Sequence, residues 1–186
     1  AEYRDPETGA HIERMARYAR LIASKLGWSE DMQERILLAA PMHDIGKIGI
    51  PDSILLKPAR LTPEEFTSMQ QHPRLGYEIL KGSASPLIQM AAEIALAHHE
   101  KFGGGGYPDG LVGDAISQSA RIVAVADVFD ALTSQRPYKR PWTIDQAIEF
   151  MQSQRGAHFD ADCVDSFFSD MEAIEAIRSA FSEEPG

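Results

Sequence analysis

Cysteine is all but missing from this sequence. Cys163 stands alone among 186 residues, so no internal disulfide can form and no thiolate zinc cluster can be built. That scarcity fits a reducing, cytoplasmic setting. Long apolar runs are missing as well: no stretch approaches the ~20 residues of a membrane span, and no secretory signal opens the chain, so no membrane partner is expected. Positive charge is the third shortage. With 18 Lys and Arg against 28 Asp and Glu, the formal charge is -10. A broad electrostatic grip on a nucleic acid polymer needs a net positive face, so that class is excluded. A small anion held by a few local cations or by metals is not. Strand signals are absent too, because no segment alternates apolar and polar residues over strand length.

What is present is a globular chain with 44% apolar residues, enough for one domain with a real core. Helix starts recur: "DPET" at Asp5, "TPEE" at Thr62 and "SPLI" at Ser85 each put a capping side chain before a proline suited to the first helical position. From Glu7 to Leu26 the apolar residues Ile12, Met15, Ala16, Ala19, Ile22, Ala23 and Leu26 keep helical spacing. A second helix is predicted from Ser29 to about Asp44, ended by "IGKIG", and others over 62–72, 74–81, 85–100, 117–134, 143–154 and 160–181. "ARIVAVADVFDAL" would also suit a buried strand, but its length and alanines favour a buried helix, and nothing offers it a strand partner. The fold class is therefore all-α. The chain starts at Ala1 without Met and enters a helix signal almost at once, which leads us to expect an N-terminal partner domain outside this sequence.

Six histidines are present, and all but His158 fall at or near helix ends. His11 follows Glu7 by four residues, a spacing that puts both on one helix face. His43 is followed at once by Asp44, His72 closes "SMQQH", and His98 and His99 close "MAAEIALAHHE". Asp127 lies in an apolar helix, where a carboxylate is costly unless it is paired with an arginine or bound to metal. Directly after the paired histidines come four glycines and a Tyr-Pro turn, more than a helix end requires. That loop suits a backbone that must approach something closely.

The strings "HDIGKIGIPD", "HHEKFGGGGYPDGL" and "ARIVAVADVFDALTSQRPYK" resemble the HD-GYP family, metal-dependent phosphohydrolases that cleave cyclic di-GMP in bacterial signalling. The resemblance runs from Asp5 to about Cys163. It implies an HD-domain helical bundle with additional C-terminal helices: an HD core over about 7–134 and an extension over about 135–186. It implies one metal on His11, His43, Asp44 and Asp127, and a second on His72, His98 and His99 with Asp44 bridging. Glu7 matches the acid that accompanies a third metal in some members. Imidazole and carboxylate without thiolate suit two or three divalent ions, iron or manganese first. Such metals activate a water for in-line attack, so no serine or cysteine nucleophile is needed.

The resemblance also assigns Lys47 to the scissile phosphate or the leaving oxygen, and Arg136 and Lys139 to substrate phosphates. Tyr107 packs either on a guanine or on its own loop. The implied reaction yields pGpG, GMP or both. The alternatives are a weakly catalytic cyclic di-GMP receptor, a module that docks GGDEF-type synthases through the Gly103–Gly110 loop, and an HD phosphohydrolase for another nucleotide such as a mixed cyclic dinucleotide. A receiver domain is the expected N-terminal partner. The chain departs from the family pattern at Gly103, where members carry Asp or Asn, and this predicts a looser loop. It departs again at Ser117 and Gln118, in place of the proline usual before "xxAR".

Overall fold

Most helices here begin at a side chain that accepts a hydrogen bond from a backbone N–H otherwise left without a partner. In the computed structural model, which describes residues 7–136 and 139–182, Thr8 caps α1 (Gly9–Lys25) and Ser29 caps α2 (Glu30–Ala39). After a single turn, α3 (Asp52–Leu55), Thr62 and Glu65 form a reciprocal capping box at α4 (Pro63–Met69). No side chain caps α5 (His72–Leu80), whereas Ser85 caps α6 (Pro86–Ala97) and Ser117 caps α7 (Gln118–Thr133). A second capping box at Thr143 starts α8 (Ile144–Ser153), and Asp160 and Asp170 start α9 (Ala161–Phe168) and α10 (Met171–Ala180). Among the described residues no strand forms, so the class is all-α, with isolated bridges only at Arg136 with Lys139 and Arg155 with Phe159.

Several boundaries differ from those read off the sequence. Asp5 lies outside the described residues, and the cap of α1 is Thr8, so Glu7 precedes the helix instead of belonging to it. The second helix stops at Ala39, because Pro41 lacks the N–H that would bond Leu37; short 3-10 turns over Ala40–Met42 and Ile45–Gly49 carry the chain past His43 and Asp44. His72 opens α5 instead of closing the helix before it, with Pro73 in the first turn. The predicted 160–181 helix breaks at Ser169, and Asp170 caps a separate α10. Ser117 supplies the start of α7 that the missing proline would have marked.

The core sits where α1 meets α2, α7, α9 and α10, and where α6 meets α2, α5 and α7. Tyr18, Phe129 and Phe167 pack edge to face with ring centroids 5.3, 5.4 and 5.0 Å apart, joining α1, α7 and α9. Helix α7 buries residues on every side, including Ile122, Val123, Val125 and Phe129, which explains its unbroken apolar run. One close crossing sets the site. A Cβ on Gly46 would lie 1.8 Å from the carbonyl oxygen of His72 and 2.5 Å from Gly76 N, so only glycine lets α5 rest on the Ile45–Gly49 turn. That contact brings His72 beside Asp44.

Candidate metal centre

Glu7, His11, His43, Asp44, His72, His98, His99 and Asp127 come from five separate places along the chain, yet their ligand atoms converge in three overlapping groups. Asp44 gathers with His72, His98 and His99; Glu7 with His43 and Asp44; Glu7 again with His11 and Asp127. Within each group the ligand atoms lie within 4.8 Å of one another. The sequence assigned Glu7 to one helix face with His11. The two do meet, Oε1 to Nε2 at 3.6 Å, although Glu7 reaches inward from before the cap.

The local fold fixes which nitrogen each ring presents. His43 Nδ1 lies 2.9 Å from the Ala40 carbonyl, His72 Nδ1 2.9 Å from that of Met69, and His98 Nδ1 3.0 Å from that of Ile94. A carbonyl oxygen only accepts, so each Nδ1 carries a hydrogen and Nε2 is the atom turned to the centre, with a lone pair to offer whenever the ring is neutral. His11 follows the same rule through Asp130, whose Oδ2 is 2.5 Å from Nδ1.

The Nε2 atoms converge on carboxylate oxygens at ion-pair distances without hydrogen-bonding to them. Asp44 Oδ1 lies 3.2 Å from His72 Nε2 and 3.3 Å from His98 Nε2, while its Oδ2 lies 3.2 Å from His43 Nε2 and 3.1 Å from Lys47 Nζ. One carboxylate thus turns an oxygen to each side of the centre. Glu7 Oε1 lies 3.1 Å from His43 Nε2, and Asp127 Oδ1 lies 3.4 and 3.7 Å from the Nε2 atoms of His11 and His43. Among the described residues, the buried Nε2 atoms of His43, His72 and His98 and the Oδ1 of Asp44 have no hydrogen-bond partner. Orphaned buried acceptors are costly. Nitrogen and oxygen lone pairs aimed at a common point fit divalent cations, so the donor set matches the metals that the motifs imply.

Charge makes the same demand. Burial opposes protonation of His11, but Asp127, Asp130 and Glu7 outweigh it and hold its pKa up at about 11. His43 is likewise raised, against its burial, by Asp44 and Asp127. Burial works against ionisation of Asp44 and Asp127, yet the neighbouring histidines hold both carboxyls well down. His99 goes the other way: burial, then His98 and His72, keep its imidazole neutral. Lys47 is held charged beside Asp44 in spite of its burial. Carboxylates that hold protons on His11 and His43 are short of positive charge; a divalent metal would supply it and leave each Nε2 its lone pair.

The centre floors a cavity of about 500 Å³ whose lining includes Lys47, Lys101, Tyr107, Arg136, Lys139 and His158. Tyr107 stacks on His99, ring centroids 4.8 Å apart and 15° from parallel. Lys139 Nζ sits 5.0 Å over the Trp142 ring, and its backbone bridges to Arg136. Pro137 and Tyr138 of "RPYK" lie outside the described residues.

The glycine loop is anchored by backbone and side-chain hydrogen bonds on both sides of Gly103. Gly103 N donates to the Ala157 carbonyl at 2.7 Å and Phe102 N to that of His158 at 3.1 Å. The buried Glu100 accepts from Asp109 N at 2.7 Å and Leu111 N at 2.9 Å. A Cβ on Gly103 would lie 3.0 Å from the Gly156 carbonyl oxygen and 3.1 Å from that of Ala157. The position therefore trades a side chain for close contact with the segment before α9.

Sequence reasoning missed Asp130, Arg14, Glu100, Lys101, His158 and the Gly46 crossing. Only Asp130 carried a signal, as a second carboxylate in the apolar α7. The others depend on contacts between distant parts of the chain.

Residues 1–163 match the HD domain family. The chain is 55% identical to RpfG of Xanthomonas campestris pv. campestris, a cyclic di-GMP phosphodiesterase response regulator, over 97% of this chain and 48% of that one. It is 51% identical to a cyclic di-GMP phosphodiesterase of Thermotoga maritima, over 90% of this chain and 45% of that one. It is 46% identical to 3'3'-cGAMP-specific phosphodiesterase 2 of Vibrio cholerae, over 98% of this chain and 35% of that one. The chain thus spans about half the length, or less, of these relatives. The crystal structure of a cyclic GMP-AMP specific phosphodiesterase of Vibrio cholerae has the same fold, with a TM-score of 0.68 at 17% identity over 94% of this chain and 46% of that one. With the motifs, the fold and these likenesses in agreement, the chain belongs to the HD domain family, in its HD-GYP branch.

Proposed function

We propose that this domain is a metal-dependent phosphodiesterase that hydrolyses cyclic di-GMP to pGpG, GMP or both. The observation that carries this reading is the set of buried, partnerless histidine Nε2 atoms facing Asp44 at the floor of a cavity with cationic walls. Two or three divalent ions, iron or manganese, would be held by the three groups of ligands, with Asp44 and Glu7 each shared between two groups. Bound there, they would supply Lewis acidity that lowers the pKa of a water and offsets charge on the phosphoryl oxygens. Asp44 holds the two sides of the centre in register through its two oxygens. Lys47, charged and 3.1 Å from Asp44, is placed to meet the scissile phosphate or the departing oxygen. Arg136 and Lys139 take the phosphates at the cavity wall, Arg136 by a bidentate grip. Tyr107, stacked on His99, forms part of the wall that the substrate would meet. Cys163 is no competing nucleophile, because it is buried in the core with its thiol pushed up by burial and Asp160.

A second substrate is favoured by a specific observation: several relatives at 35–46% identity are 3'3'-cGAMP-specific phosphodiesterases. The relatives named for cyclic di-GMP at 51% and 55% identity put that substrate first. The response-regulator name of one of them supports a receiver domain as partner. The anchored glycine loop, with Val112 exposed beyond it, suits docking of GGDEF proteins.

The test is anaerobic purification with metal analysis, followed by turnover of cyclic di-GMP and 3'3'-cGAMP side by side. Metal-dependent cleavage of cyclic di-GMP, faster than that of 3'3'-cGAMP, is the expected result. Full metal content and tight cyclic di-GMP binding without turnover would make the domain a receptor.

A further inference from the structure

Asp130 is buried to 1% exposure in the apolar α7 and does not itself line the cavity over the metal centre. Its contacts point in two directions. Oδ2 receives His11 Nδ1–H at 2.5 Å and the Ser134 hydroxyl at 2.9 Å; Oδ1 receives Arg14 Nε–H at 2.7 Å. Arg14, itself buried, reaches Oδ2 as well, through Nη2 at 3.2 Å. Its remaining nitrogen, Nη1, donates to the Phe181 carbonyl at 2.6 Å, just past the end of α10. The Arg17 guanidinium lies over the Phe181 ring, 5.4 Å from its centroid. Three successive contacts, through Arg14 and Asp130, therefore link the residue closing the last helix to a candidate metal ligand on the first.

We propose that Asp130 is the positioning residue of His11, and that Arg14 makes this positioning depend on the seating of α10. The inference rests on the metal-centre reading and goes beyond it, since neither residue would touch metal or substrate. The physical case concerns the ring. His11 lies on the third residue of α1, where no backbone carbonyl holds its Nδ1 as carbonyls hold those of His43, His72 and His98. Asp130 replaces that carbonyl with a carboxylate. A carboxylate behind a ligating imidazole fixes its tautomer and rotation and raises the basicity of the other nitrogen, and losing such a partner typically weakens metal affinity about 10–100-fold. Arg14 in turn keeps Asp130 ionised and oriented by gripping both of its oxygens. A purely structural salt bridge would need the Arg14 contact but not the one to His11.

The test is Mn²⁺ titration of the metal-free chain, followed by electron paramagnetic resonance, alongside the melting temperature of each metal-free protein. Three variants grade the intervention. Asp130→Asn removes the charge and cannot satisfy His11 and Arg14 together; Arg14→Lys cannot bond Asp130 and Phe181 as a fork; Ser134→Ala removes one donor and is the mildest should the others fail to fold. Expected is a weakening of one class of Mn²⁺ site by about 10–100-fold in Asp130→Asn, with smaller losses in the same class for the other two. The class formed by Asp44, His72, His98 and His99 should keep its affinity. Parent-like titrations in all three variants, with only the melting temperature lowered, overturn the inference and leave the metal-centre reading intact. A parent chain that binds no Mn²⁺ and carries no other metal overturns both.

Discussion

At the scale of single residues, the proposed third metal turns on Glu7. It precedes the cap of α1, so it is not a helix-dipole residue within the first turn, and its carboxylate reaches inward to 3.1 Å from His43 and 3.6 Å from His11. It belongs to two of the three ligand groups, as Asp44 does. Glu7→Gln keeps the shape and removes the charge that a cation would need. The expected outcome is a loss of roughly one metal per chain, together with a rise in the ratio of pGpG to GMP, because the later hydrolysis of the linear intermediate loses its ion. Metal analysis and nucleotide chromatography on parent and variant check this. Unchanged stoichiometry and product ratio would reduce the centre to two metals.

At the scale of elements, two contacts set the approach of the walls. Gly46 lets α5 lie against the Ile45–Gly49 turn, and its Cβ would meet backbone, not a yielding side chain. Gly46→Ala is expected to cost several kcal/mol and to move His72 off Asp44, as overpacking of a close contact costs about 1–3 kcal/mol even where side chains can shift. Calorimetry and metal content should therefore fall together. His158, on the segment before α9, is the second case. Burial, then the charge of Lys101, lowers its pKa from 6.5 to about 4. The unfolded chain then binds the proton first as pH drops below 6.5, so this residue's contribution to stability is complete above that pH and is lost between pH 6.5 and 4. Denaturant unfolding of parent and His158→Gln across that window should diverge by at most about 3 kcal/mol, the variant having the flatter profile. Equal slopes would place the imidazole in contact with solvent. These cases also show what was legible in the sequence. Helix starts at Thr62 and Ser85, the all-α class and the ligand pairs at His43 and His98 are written in neighbouring residues. The start of α5 at His72 was not, because Gln71 offers no side-chain cap and the helix is positioned by the Gly46 crossing. The pairing of His11 with Asp130 spans 119 residues and has no local signature.

At the scale of the whole molecule, a chain of charge -10 brings Lys47, Lys101, Arg136 and Lys139 to the walls of one cavity over a floor of carboxylates and imidazoles. Among the described residues no helix is long and apolar enough to cross a membrane. The ligands come from α1 and the residue before its cap, the turn after α2, the start of α5, the end of α6 and the middle of α7. Those elements are far apart in the unfolded chain, so ions held at the centre bind the native state far better than the unfolded one. By mass action, an ion present at about 100 times its dissociation constant adds about 2.7 kcal/mol per site. For a domain of this size each kcal/mol raises the melting temperature by about 2–4 °C. Removing metal with a chelator under anaerobic conditions should therefore lower the melting temperature by about 5–10 °C for one occupied site, and more for two. Mn²⁺ or Fe²⁺ added back should restore it in a concentration-dependent way. The same chelation of an Asp44→Ala chain should move its melting temperature much less, since the carboxylate shared by two groups is gone. Equal shifts in parent and variant would mean that the stabilising ion binds elsewhere, and the assignment of Asp44 to the centre would fall.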